Sequence, residues 1–224
     1  MATLYFVATP IGNLEDISFR ALRTFKEVDF ILCEDTRVTK NLLDHYSIST
    51  PLISYHTHSG LEKNDEILRL LREGKNLALV SDAGTPGISD PGGKLIEFIV
   101  EQMPKIVITS IPGPSAVIAA ASISGFPMDK FQFLGFPPVK NKRKKFFEEV
   151  AESRYPVIFY ESRYRILKSL EELKKIDDTL SLVVCRELTK KFETIYRGII
   201  TEVIAAFKKD EMRGEFVVVA RRKM

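Results

Sequence analysis

The sequence predicts an α/β protein in two parts, the first built on a mostly parallel sheet and the second on a mixed one. Three patterns predict it. Through the first half, short apolar, β-rich runs alternate with segments whose apolar residues recur at helical spacing. Later runs follow one another with fewer helices between them, which favours antiparallel pairing. Tight clusters of Gly, Pro and Asp follow the early runs directly, as loops do at the carboxyl ends of strands.

In chain order, the predicted strands of the first part are Leu4 to Ala8, Phe30 to Cys33, Leu52 to Tyr55, Asn76 to Val80 and Ile106 to Thr109. Helical spacing appears between them, in Phe19, Leu22, Arg23 and Phe25 and again in Ile67, Leu68, Leu70 and Leu71. Continuous apolar strands joined by helices are the pattern of a parallel sheet covered on both faces. The segment Ile111 to Ser115, I-P-G-P-S, reads as a rigid turn, with Ser115 an N-cap for a small-residue helix from Ala116 to Ser122. The boundary is placed here, giving domains 1–112 and 113–224. Beyond it the sequence predicts a strand near Phe131 to Leu134, a basic helix from about Lys142, a strand at Val157 to Tyr160 and a helix from Arg163 to Lys175. Strands at Ser181 to Cys185, Glu193 to Tyr196 and Glu215 to Ala220 complete it.

Composition excludes several classes. Hydrophobic residues make up 45% of the 224-residue chain and charged residues 28%, the usage of an ordinary globular protein rather than a disordered or membrane one. No window approaches the roughly 18 apolar residues of a transmembrane helix, and no basic segment precedes an apolar signal core, so a soluble, unexported, cytoplasmic protein is expected. Cys33 and Cys185 are the only cysteines, which rules out a disulfide framework or a C-x-x-C site. The net charge of +3 is too mild to announce nucleic-acid binding by itself, so the placement of charge matters more than its sum.

Four unusual segments follow predicted strands: Thr9 to Leu14, Glu34 to Arg37, Ser81 to Gly93 and Pro112 to Ser115. Ligands of open α/β sheets bind outside the carboxyl ends of the strands, so convergence of the four makes a binding edge, where each alone would be turn chemistry. The richest is S-D-A-G-T-P-G-I-S-D-P-G-G, from Ser81, whose glycines allow close backbone approach and whose aspartates accept from amines and hydroxyls. Two nucleotide signatures fail. Gly12 is the only glycine after the first strand, so G-x-G-x-x-G is missing, and a P-loop ending at Gly93-Lys94 would need glycine at Ile88 and Ser or Thr at Leu95. A ligand gripped by its phosphates is therefore not expected.

The motifs A-T-P-I-G-N-L-E-D-I-S from Ala8, E-D-T-R from Glu34, the Ser81 loop and P-G-P-S-A from Pro112 together resemble the tetrapyrrole methylase superfamily, in particular its ribosomal RNA branch. G-F-P-P from Gly135, F-Y-E-S-R-Y-R-I from Phe159, R-E-L-T-K-K-F-E from Arg186 and R-G-E-F-V-V-V from Arg213 extend the likeness from Leu4 to Val219. The resemblance implies the two-domain class III methyltransferase fold, usually homodimeric, with S-adenosylmethionine held in the cleft between the domains. It further implies methylation of the 2′-hydroxyl of a cytidine in the decoding centre of 16S rRNA, on the small ribosomal subunit. Cobalamin and haem relatives carry a glycine-rich turn where this chain has Thr9-Pro-Ile-Gly12-Asn13, the ribosomal branch's version. Some members carry a C-terminal extension, and RNA contacts made there are expected to be absent or replaced in a sequence that ends at Met224.

Carried over by position, the implied cofactor contacts are Pro10, Asp82, Thr85, Gly113, Ser115 and Ala116. The competing reading of Asp82, which the converging loops disfavour, is a turn-forming Asp bonded to its own backbone. Methyl transfer to a ribose hydroxyl needs a proton acceptor or nearby cations. Glu34, Asp35 and Arg37 are the catalytic candidates, Arg37 orienting a carboxylate or holding a phosphate, with an ordinary ion-paired turn as the competing reading. The run Lys140, Lys142, Arg143, Lys144, Lys145 begins a helix, where cations oppose the dipole, so a phosphate partner explains its placement; Arg154, Arg163 and Arg165 extend the strip. Arg186, Glu187, Lys190 and Lys191 form a second charged group, either a substrate contact or a solvated edge. Phe159 and Tyr160 read as core or cleft wall, Tyr160 keeping a possible role beside Glu161. His45, His56 and His58 are scattered, and no metal site is expected. Two other readings stay open: a methyltransferase acting on a tetrapyrrole or a diphthine precursor, and a non-catalytic RNA-binding ribosome-assembly module.

Overall fold

The computed structural model describes residues 2–56, 60–90, 92–208 and 213–223. The chain divides into two compact units, Met1–Ser115 and Ala116–Met224.

The first unit alternates strands β1 (Thr3–Val7), β2 (Phe30–Cys33), β3 (Leu52–Ser54), β4 (Leu77–Leu79) and β5 (Val107–Ile111) with helices α1 (Phe19–Glu27), α2 (Thr36–His45), α3 (Leu61–Arg72) and α4 (Gly92–Gln102). Strand order is β3-β2-β4-β1-β5, and every pairing is parallel. Side chains alternate between faces along each strand, so Leu77 and Leu79 point one way and Ala78 the other. Leu4, Phe6, Leu32, Leu77 and Leu79 pack with Ile67, Leu71, Leu95 and Ile99 of α3 and α4. Val7, Ile31, Cys33 and Ala78 pack with Ala21, Phe25, Leu42 and Leu43 of α1 and α2. Two buried faces explain why these strands read as unbroken apolar runs.

Local chemistry sets the helix ends. Ser18 caps α1, its hydroxyl accepting from Ala21 N at 3.1 Å, and Asp35 caps α2. Helix α3 ends where Gly74 turns left-handed at φ +86°, with Gly74 N donating to Leu71 O and Lys75 N to Leu70 O at 3.0 Å. That pair of bonds satisfies the last carbonyls of the helix in the pattern that favours glycine.

The second unit comprises α5 (Ala116–Ile123), β6 (Gln132–Phe133), α6 (Arg143–Glu152), β7 (Val157–Ser162), α7 (Ile166–Lys174), β8 (Ser181–Arg186), β9 (Thr194–Ile199), α8 (Ile200–Phe207) and β10 (Glu215–Arg221). Its sheet runs β6-β7-β10-β8-β9, with β6 and β7 parallel and the remaining pairs antiparallel. The core lies between Phe147 of α6, Leu170 and Leu173 of α7, Val203 and Phe207 of α8, and Phe159, Val184, Phe216 and Val218 of the strands. The parallel first sheet and mixed second sheet are those the sequence predicts. Two boundaries differ for a visible reason. Strand β7 runs past its apolar residues to Ser162 because β10 continues to pair with it at Phe216↔Glu161 and Glu215↔Ser162. The next helix then starts at Ile166 rather than Arg163, after a turn closed by Arg165 N donating to Ser162 O at 3.0 Å.

Gly74→Ala places a Cβ at φ +86° with no atom within 4 Å, so its cost is backbone strain alone. A loss of roughly 1–2 kcal/mol in urea unfolding is expected. Gly93→Ala, inside α4 with equally open space, is expected to leave stability unchanged or raise it by up to about 1 kcal/mol.

Candidate functional site

Because all five strands of the first sheet are parallel, the segments after β1, β2, β4 and β5 emerge at the same edge. There they are stitched together. Thr9 and Gly84 exchange backbone hydrogen bonds at 2.9 and 3.1 Å, and the Thr9 hydroxyl donates to Ser81 O. The Thr85 hydroxyl donates to Pro114 O at 3.0 Å, and Asp35 N donates to Asp82 Oδ1 at 3.0 Å. Gly84 needs its φ of +84° to turn back onto the β1 loop, and a Cβ on Gly113 would stand 3.1 Å from the Ala8 Cβ. Pro10 is buried within this knot, whereas Asp82 and Gly113 are exposed. Ser115 closes the first unit, and Ala116 is the first residue of α5 in the second.

The three catalytic candidates have distinct environments. Asp35 Oδ1 accepts from Arg37 N at 2.9 Å and from Arg37 Nε at 3.0 Å, while Oδ2 accepts from Arg37 Nη2 at 2.6 Å. Those bonds to Arg37 hold the Asp35 carboxyl at a pKa of about 2, so this carboxylate is a helix cap and ion-pair partner and a poor proton acceptor. The Arg37 side chain is 88% exposed and presents its guanidinium to solvent. Glu34 is shifted the other way. Partial burial raises its carboxyl, and the negative charges of Asp82 and Asp90 raise it further, which makes it the more basic of the two neighbouring carboxylates. Asp90, which the sequence reading left unassigned, has its Oδ1 held by Gly87 N at 2.6 Å and Gly92 N at 2.9 Å. This edge therefore carries a negative field, from Glu34, Asp82 and Asp90.

The basic run of the second unit splits. Lys140, Lys142, Lys144 and Lys145 are exposed, with Lys142 left-handed at φ +64° just before α6. Arg143 departs from the expectation of an RNA contact: it is 7% exposed and turned inward. Its Nε donates to Glu172 at 2.7 Å, its Nη2 to the Ser169 hydroxyl at 2.7 Å and its Nη1 to Pro138 O at 3.1 Å. The helix spacing that displays its neighbours turns the side chain at this position toward α7. The hub of the network is Glu161, 1% exposed. Glu161 pairs with Arg165 at 2.9 Å and with Arg143 at 3.8 Å, and accepts from Ser162 N and the Ser169 hydroxyl. Arg165 in turn donates to Pro137 O at 3.2 Å, so two arginines hold the Gly135 to Lys142 loop by its carbonyls. The sequence signal for this hub was a lone Glu at the end of an apolar strand, followed by two arginines.

Of the second charged group, Lys190 bridges Glu187 at 3.0 Å and Glu215 at 2.8 Å, and Arg186 Nε donates to Arg213 O, so these three residues brace their own loop. The Lys191 ammonium lies 5.6 Å from the Phe192 ring. Phe159 is core, and Tyr160 packs between Phe133 and Phe136. Burial raises the Cys33 thiol and pushes that of Cys185 up to about 11, which leaves neither suited to be a thiolate nucleophile. His58 lies outside the described residues. Among the described residues, no group of three metal-ligating side chains occurs and no helix is long and apolar enough to cross a membrane.

Residues 3–204 match the family of Tetrapyrrole (Corrin/Porphyrin) Methylases, and the chain belongs to that family. Among similar proteins, Ribosomal RNA small subunit methyltransferase I of Thermotoga maritima is 43% identical over 223 residues, covering 100% of both chains. The protein of the same name from Bacillus subtilis is 44% identical over 220 residues, covering 98% of this chain and 75% of its own. Solved structures share the fold at low identity. A diphthine synthase superposes with a TM-score of 0.72 at 14% identity, covering 97% of this chain and 89% of its own. The cobalt precorrin-4 methyltransferase CbiF does so with 0.69 at 20%, covering 97% and 94%.

Arg143→Ala leaves the buried Glu161 and the half-buried Glu172 carboxylates short of a partner, and a loss of about 3 kcal/mol is expected in chemical denaturation. For Asp35 the folded pKa lies below the unfolded value, so its stabilisation is present above about pH 4 and lost as pH falls through 2. Asp35→Ala should therefore lower the urea midpoint at pH 7, and its difference from the parent should shrink steadily on acidification below pH 4.

Proposed function

We propose that this chain is an S-adenosylmethionine-dependent methyltransferase of small-subunit ribosomal RNA, and that its acceptor is the 2′-hydroxyl of a cytidine in the 16S decoding centre. The observation that carries the reading is the full-length likeness, at 43% identity, to a protein named for methylation of small-subunit rRNA. We take the working form to be a cytoplasmic homodimer.

The first unit's edge fits the cofactor by its chemistry. Glu34, Asp82 and Asp90 surround the edge with negative charge, which suits a ligand bearing a sulfonium and an ammonium. Asp82 is exposed to accept from an amine or a ribose hydroxyl, and the backbone at Gly113 is open to an adenine edge. Pro10, Thr85 and Ser115 shape the same edge, with Thr85 fixing the Pro114 turn. The bound cofactor supplies an already activated methyl group, so the protein's tasks are alignment and removal of the acceptor's proton. Glu34 takes that proton, its carboxylate made more basic by burial and by Asp82 and Asp90. Asp35 does not share that role; it caps α2 and positions Arg37, whose exposed guanidinium holds a phosphate next to the acceptor sugar. Lys140, Lys142, Lys144 and Lys145 hold backbone phosphates elsewhere on the RNA.

Tritiated S-adenosylmethionine offered with 30S subunits, naked 16S rRNA or a porphyrinogen tests the reading. Label in a nuclease-resistant dinucleotide of 16S rRNA is expected; label in the porphyrinogen alone would refute it. Asp82→Asn keeps an acceptor for Asp35 N while removing the charge, so calorimetry should show weakened cofactor binding with rRNA affinity intact. Glu34→Gln should bind both partners and lose roughly 10²-fold or more in turnover.

A further inference from the structure

In the second unit, β7 and β8 are each antiparallel to β10, and β6 is parallel to β7, so β6, β7 and β8 all point the same way. Their carboxyl ends deliver three segments to one edge: Leu134 to Lys142, Arg163 to Arg165 and Glu187 to Glu193. Each segment displays one aromatic ring. Phe136 is 52% exposed, Tyr164 81% and Phe192 65%, and among the described residues of this unit no other aromatic side chain is exposed. Cations lie against two of the rings, and the third shares its loop with further ones. The Arg163 guanidinium lies 4.5 Å from the Tyr164 centroid, Lys191 sits over Phe192, and Phe136 leads into the four exposed lysines.

These rings stand on braced supports. Phe136 leans on Tyr160 at 5.3 Å, in a loop held through Pro137 O, Pro138 O and the bond from Tyr160 N to Gly135 O. The Phe192 loop carries two left-handed residues, Glu187 at φ +52° and Thr189 at φ +66°. Glu215 N and Lys190 Nζ donate to Glu187, and Thr189 N donates to Glu193, which keeps that strained course in place. Rings presented to water on hydrogen-bonded loops that also carry cations are the combination by which proteins take unpaired bases: the ring stacks on a base and the cation meets its phosphate. A duplex conceals its base faces and offers such rings nothing to stack on.

We infer that Phe136, Tyr164 and Phe192 are a base-stacking platform for single-stranded RNA along the carboxyl edge of the second sheet. The inference rests on the reading of the chain as an RNA methyltransferase, and goes beyond it by assigning these rings to unpaired nucleotides rather than to a helix or to phosphates.

The test is titration of a fluorescent single-stranded oligoribonucleotide, and of the same sequence as a duplex, across a salt series. Each of Phe136→Ala, Tyr164→Ala and Phe192→Ala should weaken single-strand binding about fivefold or more, with the salt slope unchanged and duplex binding unaffected. Phe136→Tyr should restore it. The fourfold variant Lys140→Ala, Lys142→Ala, Lys144→Ala and Lys145→Ala should instead weaken both forms and flatten the slope. All of these side chains are exposed, so melting temperatures should match the parent. Parental single-strand affinity in the triple aromatic variant, with methyl transfer to rRNA intact in the parent, would overturn the platform alone. The same affinity with a changed sedimentation coefficient would reassign the rings to a protein interface. Absence of methyl transfer to rRNA in the parent would instead remove the broader reading.

Discussion

The parallel direction of β1 to β5 is the constraint on which the first unit depends. A parallel sheet sends each strand's following loop to the same edge, so segments separated by dozens of residues become neighbours without long excursions. The loops then fix one another: Thr9 with Gly84, Thr85 with Pro114, and Asp82 with the backbone of Asp35. Such cross-bonding gives a site on loops the rigidity of one built on regular elements. It also ties Asp82 to the E-D-T-R turn, so the carboxylate proposed to meet the cofactor is one that shapes its neighbouring loop.

Environment separates carboxylates that the sequence presents side by side. Asp35 lies at the start of α2, where backbone and guanidinium donors favour the ionised form, and its pKa falls to about 2. Glu34, one residue earlier, is partly buried among other negative charges, and its pKa rises. A single turn thereby holds two adjacent carboxylates whose surroundings push their pKa values in opposite directions. The same division of labour recurs in the basic run of the second unit. Arg143 is buried against Glu161, Glu172 and Ser169, while the lysines beside it remain in water.

Glu161 is costly to bury and would destabilise the sheet if left unpaired. Its partners are residues that also grip the Gly135 to Lys142 loop, so the charge that compensates it supports the display of the exposed lysines and Phe136. The burial of an ion pair is poor evidence of stability by itself, and here its consequence is geometric. A loop with two prolines and a run of cations keeps one course over the strand ends.

Unbroken apolar runs and helical spacing made both sheets legible, because burial on each face must be written into the side chains of every strand and helix. Gly, Pro and Asp clusters marked the loops of the first edge for the same local reason, and their motifs carried the family. The ion-paired Asp35–Arg37 turn is one of two local readings; spacing in the sequence did not reveal that Asp82 anchors that turn, that Arg143 faces inward, or that Asp90 adds its charge to Glu34. Those outcomes depend on contacts between residues distant in the chain, such as Arg143 with Ser169 or Asp35 with Asp82, 47 positions apart. The sequence by itself determined the strands, the helices and the edge where the loops gather, since those follow from local pattern and strand direction. Only the tertiary structure decided which charges on that edge are buried, paired or left to meet a ligand, because the field at each group is set by neighbours that folding brings there.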